Sequence, residues 1–315
     1  MTGIHQVTGP VTRHGEGPVW VPSWGGLHLV DMLAGDVLAL DTETGAVGRH
    51  HVGTVAAAVR PRAGGGAVLA LERGFALLDP PPTAPLTPPG PPTGPPALPR
   101  SPASPFQAGP AAAAKPRLLP ELWPADRGLR MNDGGCDPDG RFYCGSMAYD
   151  EATGAGALHR LDPDGTTTVV LSGVTISNGL VWSPDGSRAH YVDTPTGGID
   201  VFDYDPDTGL TGRRPWAAVP RGKPDGLAVD AEGGVWAALW GGAAICRYTA
   251  AGDLDEVIAL PVPQVTACAF GGADLATLYV TTSTLRTDLE RYPTAGAVYA
   301  VDVGIRGLPV LPFTG

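Results

Sequence analysis

The feature that most restricts the fold of this chain is a turn that keeps returning. Six segments each place an apolar run, a tight turn and a second apolar run in series. Their turns begin at Val21 (VPSWGGLHLVD), Arg60 (RPRAGGGAVLAL), Asp137 (DPDGRFYCGSM), Ser183 (SPDGSRAHYVD), Asp230 (DAEGGVWAALW) and Gly271 (GGADLATLYVTT). The spacings are 39, 77, 46, 47 and 41 residues. Four of them match the length of a four-stranded propeller blade. Almost no stretch carries apolar residues at helical spacing over three turns. The 45 glycines and 34 prolines cut the chain into short pieces, which favours strands and turns.

The outlying spacing contains a tract from Pro80 to Pro116 built mostly of Pro, Ala, Gly, Ser and Thr. Proline lacks the ladder N–H and fixes φ, so this tract cannot be a central strand. Removing about 34 residues of it leaves a spacing of about 43 residues, one more blade. The expectation is an all-β chain: one domain over 1–315, a six-bladed β-propeller with a central channel and a Pro-rich insertion at about 80–116. The insertion is either a tolerated surface loop or a docking tract of the PxxP kind for a protein partner.

Counting five residues back from each turn gives Glu16, Val55, Asn132, Asn178, Asp225 and Thr266. Equal offsets in a repeat mean equal heights on the innermost strand. Four polar side chains are therefore expected to point at one place on the channel axis. The only two asparagines of the chain are among them, where ordinary composition would supply roughly a dozen. Glu16, Asn178 and Asp225 offer hard oxygens with a formal charge of −2, which suits a divalent cation. A hydrogen-bonded polar plug in a solvated channel is the other reading. His14, two residues before Glu16, is read as packed or as a neighbour of the ligands, and Trp240 as ordinary propeller packing.

Several classes lose support. The net charge is −11 and only two lysines occur, so no basic stripe exists to track phosphates and nucleic acid is not expected as a partner. No apolar run spans a bilayer, and the N-terminus shows no signal-peptide pattern. The four cysteines lack C-x-x-C spacing and read as buried thiols in a reducing, cytoplasmic setting. DYDPDTGLTGRR, from Asp203, mimics an EF-hand loop, but its glycine falls one place late and Arg214 stands where Glu is required; it reads as an Asx-rich hairpin turn. Serine-hydrolase elbows and nucleotide-binding glycine loops are missing.

GEGPVW, RMNDGGCDPDGRFYCGSM, SNGLVWSPDG, KPDGLAVDAEGGVWAALW and ACAFGGADLATLYVTT occur in order along nearly the whole chain outside the Pro-rich tract. In these motifs the chain resembles the SMP-30/gluconolactonase/regucalcin-like family. The resemblance implies a six-bladed propeller with one divalent metal ion (Ca²⁺, Zn²⁺, Mn²⁺ or Mg²⁺) held by Glu16, Asn178 and Asp225. It implies hydrolysis of a sugar lactone to the aldonic acid, a carboxylic ester hydrolase reaction. Arg130 and Asn132 match substrate-contacting positions, and Asp150 stands where regucalcin-like members carry Glu, in a loop that touches substrate. Asp225 is the candidate catalytic base, and a role as ligand alone is its alternative. Two rival functions stay open: a related esterase or phosphotriesterase-like hydrolase, and a non-enzymatic calcium-binding regulatory protein.

Overall fold

The computed structural model describes residues 3–82 and 114–315. Six four-stranded antiparallel sheets follow one another around a ring. Their innermost strands are Gly15–Val21, Ala56–Pro61, Leu129–Cys136, Ser177–Trp182, Lys223–Val229 and Val265–Gly271. These belong to blades one to six and contain the six counted positions or, for Val55, directly follow it. Blade six is completed by the other end of the chain: Ile4–Gln6 pairs with Tyr299–Val301. That pairing closes the ring between residues nearly 300 positions apart.

Inner strands are buried almost throughout, as in Ala67–Leu71 beside Ala56–Pro61. Outermost strands are polar and largely exposed, as in Thr167–Val174. Buried strands read as continuous apolar runs, and this gradient places the core between neighbouring blades. Aromatic pairs join most neighbours. Trp20 stacks on Tyr279 across blades one and six at 5.7 Å. Phe75 meets Phe142 at 5.6 Å, Tyr143 meets Trp182 at 5.4 Å and Trp236 meets Phe270 at 6.1 Å. Such pairs contribute about 0.5–1.5 kcal/mol each beyond the area they bury. Blades one and two join instead through aliphatic packing around Val30, Met32 and Ala57.

The predicted turns lie at the far end of the inner strands. Asp137 Oδ1 accepts from the amides of Asp139 and Arg141, and Gly140 closes that turn at φ 78°. In the EF-hand look-alike, Asp205 Oδ1 accepts from the amides of Asp207 and Thr208. Gly198–Asp205 and Gly209–Ala218 pair on either side, so it is an Asx-built hairpin. All four cysteines are buried free thiols. No helix among the described residues is long and apolar enough to cross a membrane.

The Pro-rich tract falls mostly outside the described residues. Its stems connect Phe75–Leu78 to Arg117–Leu118 in blade two, and this connection leaves from the end of the channel opposite the starts of the inner strands. At that same far end the C-terminal segment crosses the ring. The Gly307 amide bonds Leu275 O, the Phe313 amide bonds Pro61 O and the Thr314 amide bonds Gly140 O. Between this strap and the inner strands lies a cavity of about 510 Å³, lined by Val181, Leu227, Leu308 and Leu311 among others.

Candidate metal and substrate centre in the channel

Every inner strand carries one extra residue near its start. Glu16 and Val19 on blade one face Val30 and His28, so three steps match two on the partner strand. The same mismatch spans Met131 to Gly134, Ser177 to Leu180 and Pro224 to Leu227, and shorter versions occur at Ala56 to Ala58 and Val265 to Ala267. A β-bulge leaves its extra residue unpaired and re-aims its side chain. Asn132, Asn178, Asp225 and Thr266 sit inside these bulges, and Glu16 sits at the edge of one. The bulge is thus the device that turns a buried strand residue toward the axis.

Glycine follows three of these positions for steric reasons. Gly17 has φ 51°, a left-handed conformation open to few other residues. At Gly179 a Cβ would stand 2.7 Å from the Leu227 amide and 2.8 Å from Asp225 O. The inner strands of blades four and five approach that closely, and the approach brings Asn178 and Asp225 side by side.

Glu16, Asn178 and Asp225 are each about 5 % exposed or less. Glu16 Oε2, Asn178 Oδ1 and Asp225 Oδ1 are buried without a hydrogen-bond partner. Unsatisfied buried oxygens are costly and rare, and the three predicted ligands hold three of them. The Asn178 amide is oriented: Nδ2 donates to Thr194 Oγ1 at 3.0 Å, and Thr194 Oγ1 donates to Pro224 O at 2.9 Å. That chain fixes which end of the amide faces inward. Burial raises the Glu16 pKa well above its ordinary value, with Asp225 and Asp133 adding to the effect. Burial, then Asp133, raises Asp225 in the same direction. Carboxyls under this strain gain most from a cation between them. Among the described residues no three His, Cys, Asp or Glu side chains are placed to hold a metal ion by themselves, so the donor set needs the neutral oxygen of Asn178. These donors fit a hard divalent ion.

Around them stand Arg130 and Asn132. Arg130 Nη1 donates to Asn132 Oδ1 at 2.7 Å and to Met131 O at 3.0 Å. Asn132 Nδ2 donates to Ser177 O at 2.9 Å. Desolvation lowers the Arg130 pKa, while Tyr149, Glu16 and Asp225 oppose the shift, so the guanidinium lies within the field of the carboxylates. His14 Nε2 is 3.7 Å from Glu16 Oε1, and its Nδ1 is 3.0 Å from Ser283 Oγ. Burial holds the His14 pKa down at about 3, so the ring is neutral. The tautomer that accepts from Ser283 presents Nε2–H to Glu16. Trp240 packs edge-on against His14 at 5.8 Å.

Asp150 stands apart from this cluster. It is exposed, and its Oδ1 accepts from the Ala152 amide at 3.1 Å. Sequence reasoning missed Asp133, whose buried carboxyl acts on both Glu16 and Asp225. Its signal was its place in RMNDGG, directly after a bulge residue. Val55 contributes an apolar wall, and Thr266 Oγ1 is spent on Gly15 O at 2.6 Å.

Fold and site together define a six-bladed propeller with an oxygen-rich centre at one end of its channel. Residues 14–284 match the family model described as the SMP-30/gluconolactonase/LRE-like region. The chain belongs to this family. It is 32 % identical to pentonolactonase XacC of Haloferax volcanii, over 97 % of this chain and 96 % of that protein. It is 31 % identical to regucalcin of Gallus gallus, over 96 % and 95 %. Among solved structures, a calcium-binding regucalcin from Agrobacterium tumefaciens superposes with a TM-score of 0.81 at 25 % identity, covering 96 % of this chain and 95 % of that one.

Proposed function

We propose that this chain hydrolyses a sugar lactone to its aldonic acid, using one divalent cation held by Glu16, Asn178 and Asp225. The observation that carries the reading is that three buried oxygens without hydrogen-bond partners stand near the starts of the inner strands of blades one, four and five. The family and the names of its lactonase members support the same reading. When bound, the cation would polarise the lactone carbonyl and make a bound water more acidic.

The chain's own residues do the rest. Arg130 Nη1 is committed to Asn132, Met131 and Met32. The other guanidinium nitrogens are left to donate to ring hydroxyls, and Arg stays charged at any working pH. Asn132 is held at both ends of its amide and fixes the orientation of Arg130. Asp225 accepts the proton of the attacking water. The Asp133 carboxyl acts on both Glu16 and Asp225, which favours a cation between them. We place the reaction in the cytoplasm, where the four thiols stay reduced.

Purified protein should acidify solutions of pentono- and hexonolactones, stop after chelation, and recover when a divalent ion returns. Full turnover in Asp225→Ala or Asn178→Ala, with unchanged metal content, would refute the assignment.

A further inference from the structure

Two loops rise at the end of the channel that holds Glu16 and Asp225. One joins Phe142–Ala148 to Gly156–Leu161 in blade three, and the other joins Thr277–Thr282 to Tyr299–Asp302 in blade six. Blades three and six face each other across a six-membered ring, so a contact between these loops must cross the mouth. Such a contact exists. Arg286 Nη2 lies 2.6 Å from Glu151 Oε1, between residues 135 positions apart.

Both partners are held in costly backbone conformations. Glu151 has φ 58° and Arg286 φ 54°, and only two other non-glycine residues among those described have positive φ. Strain of this kind persists where surrounding structure over-determines it, and it gathers at ligand clamps. The surroundings here are specific. On one flank Tyr149 donates to Glu72 Oε1 at 2.6 Å, and Thr54 donates to Glu72 Oε2 at 2.8 Å. The Glu72 carbonyl accepts from the Met131 amide, next to Arg130. On the other flank Gln264 Nε2 donates to Arg286 O at 3.4 Å, and Gln264 Oε1 accepts from the Gly241 amide. Ser283 Oγ accepts from the Leu285 amide and meets His14, the neighbour of Glu16.

We propose that the Glu151–Arg286 pair spans the mouth as a latch and sets the largest substrate the centre accepts. Lactones of a single sugar ring pass beside the closed pair, whereas lactones carrying a second sugar require it to open. This inference rests on the lactonase reading above. It deepens that reading by making Glu151 and Arg286 specificity-determining residues that touch neither the cation nor the reacting carbonyl.

The test compares the wild-type chain, Glu151→Gln, Arg286→Gln and the swap Glu151→Arg with Arg286→Glu. Each is assayed on an aldonolactone of one ring and on a glycosyl-substituted aldonolactone. Hydrogen exchange of residues 149–155 and 284–290 is followed in the same proteins. The single variants should raise kcat/KM for the substituted lactone about three- to fivefold, the range an exposed ion pair can carry, through KM and with the single-ring value unchanged. Exchange in both loops should quicken, and the swap should restore both readouts. High salt should move the wild type toward the single variants and leave those variants unmoved. Faster exchange without a change in substrate ratio would reduce the pair to a loop tether and overturn the proposal, as would no change in either. If the wild type opens no lactone, the functional reading fails separately; quickened exchange in the single variants then keeps the latch, and unchanged exchange removes it too.

Discussion

Thr194 holds Asn178 by a hydroxyl that accepts from the amide at 3.0 Å and passes its own proton to Pro224 O. Thr194→Val keeps the side-chain volume and removes this orientation. Cation affinity, measured by calorimetry, should fall about 10- to 100-fold, as when an outer hydrogen bond to a metal ligand is lost. The fold should lose about 1–3 kcal/mol because the hydroxyl's bonds to the Asn178 amide and to Pro224 O are lost. Thr194→Ser should restore both. Unchanged affinity in the valine variant would show that Asn178 orients itself.

Asp225→Asn separates the cost of the centre from its benefit. Without a cation, Glu16 and Asp225 are buried carboxyls that repel each other, so the variant should be more stable than the wild type by on the order of 2 kcal/mol. With a cation at a hundred times its Kd, the wild type should gain about 2.7 kcal/mol and the variant little. The pH dependence follows from the upward shifts of both groups. Metal-free stability from this pair is fully present below the ordinary carboxylate values of 3.8 and 4.5, and it is lost as pH rises through the higher folded values. Cation affinity should rise over that same interval, because binding displaces protons. Thermal melts with and without metal at several pH values decide the matter, and an asparagine variant less stable than the metal-free wild type contradicts it.

The ring, and the heights of the candidate ligands on its inner strands, were legible because both are written in local pattern. Each blade repeats the same turn chemistry, so five residues before Asp137, Ser183 or Asp230 is the same place in space. The bulges at Asn132, Asn178 and Asp225 were not legible as bulges, but each adds its extra residue at nearly the same point, so the count survived. What stayed hidden depends on contacts between distant parts of the chain. Nothing near Ile4 announces Tyr299 as a partner, and nothing near Glu151 announces Arg286. Asp150 accepts from an amide of its own loop, a local bond that its place in the motif does not announce. Asp133 was passed over because a count of one residue per blade has no place for a second.

His190 should govern part of the acid limb of stability. Burial, with a smaller contribution from Arg188, lowers its pKa to about 4 from an ordinary 6.5. Its ring lies 4.3 Å from that of Trp216. The unfolded chain takes up this proton first, so the contribution is complete above pH 6.5 and is lost as pH falls toward 4. The full loss is on the order of 3 kcal/mol by the free energy of one pKa unit. His190→Phe should flatten this part of the curve in denaturant titrations of metal-loaded protein. An identical slope in both proteins would place the acid sensitivity elsewhere, with His159 the next group, also lowered to about 4 by burial.

Phe313 tests whether the C-terminal strap holds the ring. Its ring is 2 % exposed and belongs to the core shared by blades one, two and three. Its backbone bonds Pro61 O and the Ala63 amide at 2.8 and 2.7 Å. Just before it the strap touches blades five and six, so one short segment ties both sides of the far end. Phe313→Ala should cost about 3–5 kcal/mol, the usual range for truncating a buried phenylalanine. The centre lies at the other end of the channel, so kcat/KM for folded protein and cation affinity should stay at wild-type values. A loss below about 1 kcal/mol in urea unfolding would mean the tail rests on the ring without bracing it. A loss of cation affinity in protein that remains folded would show that the far end transmits strain through the inner strands to Asp225.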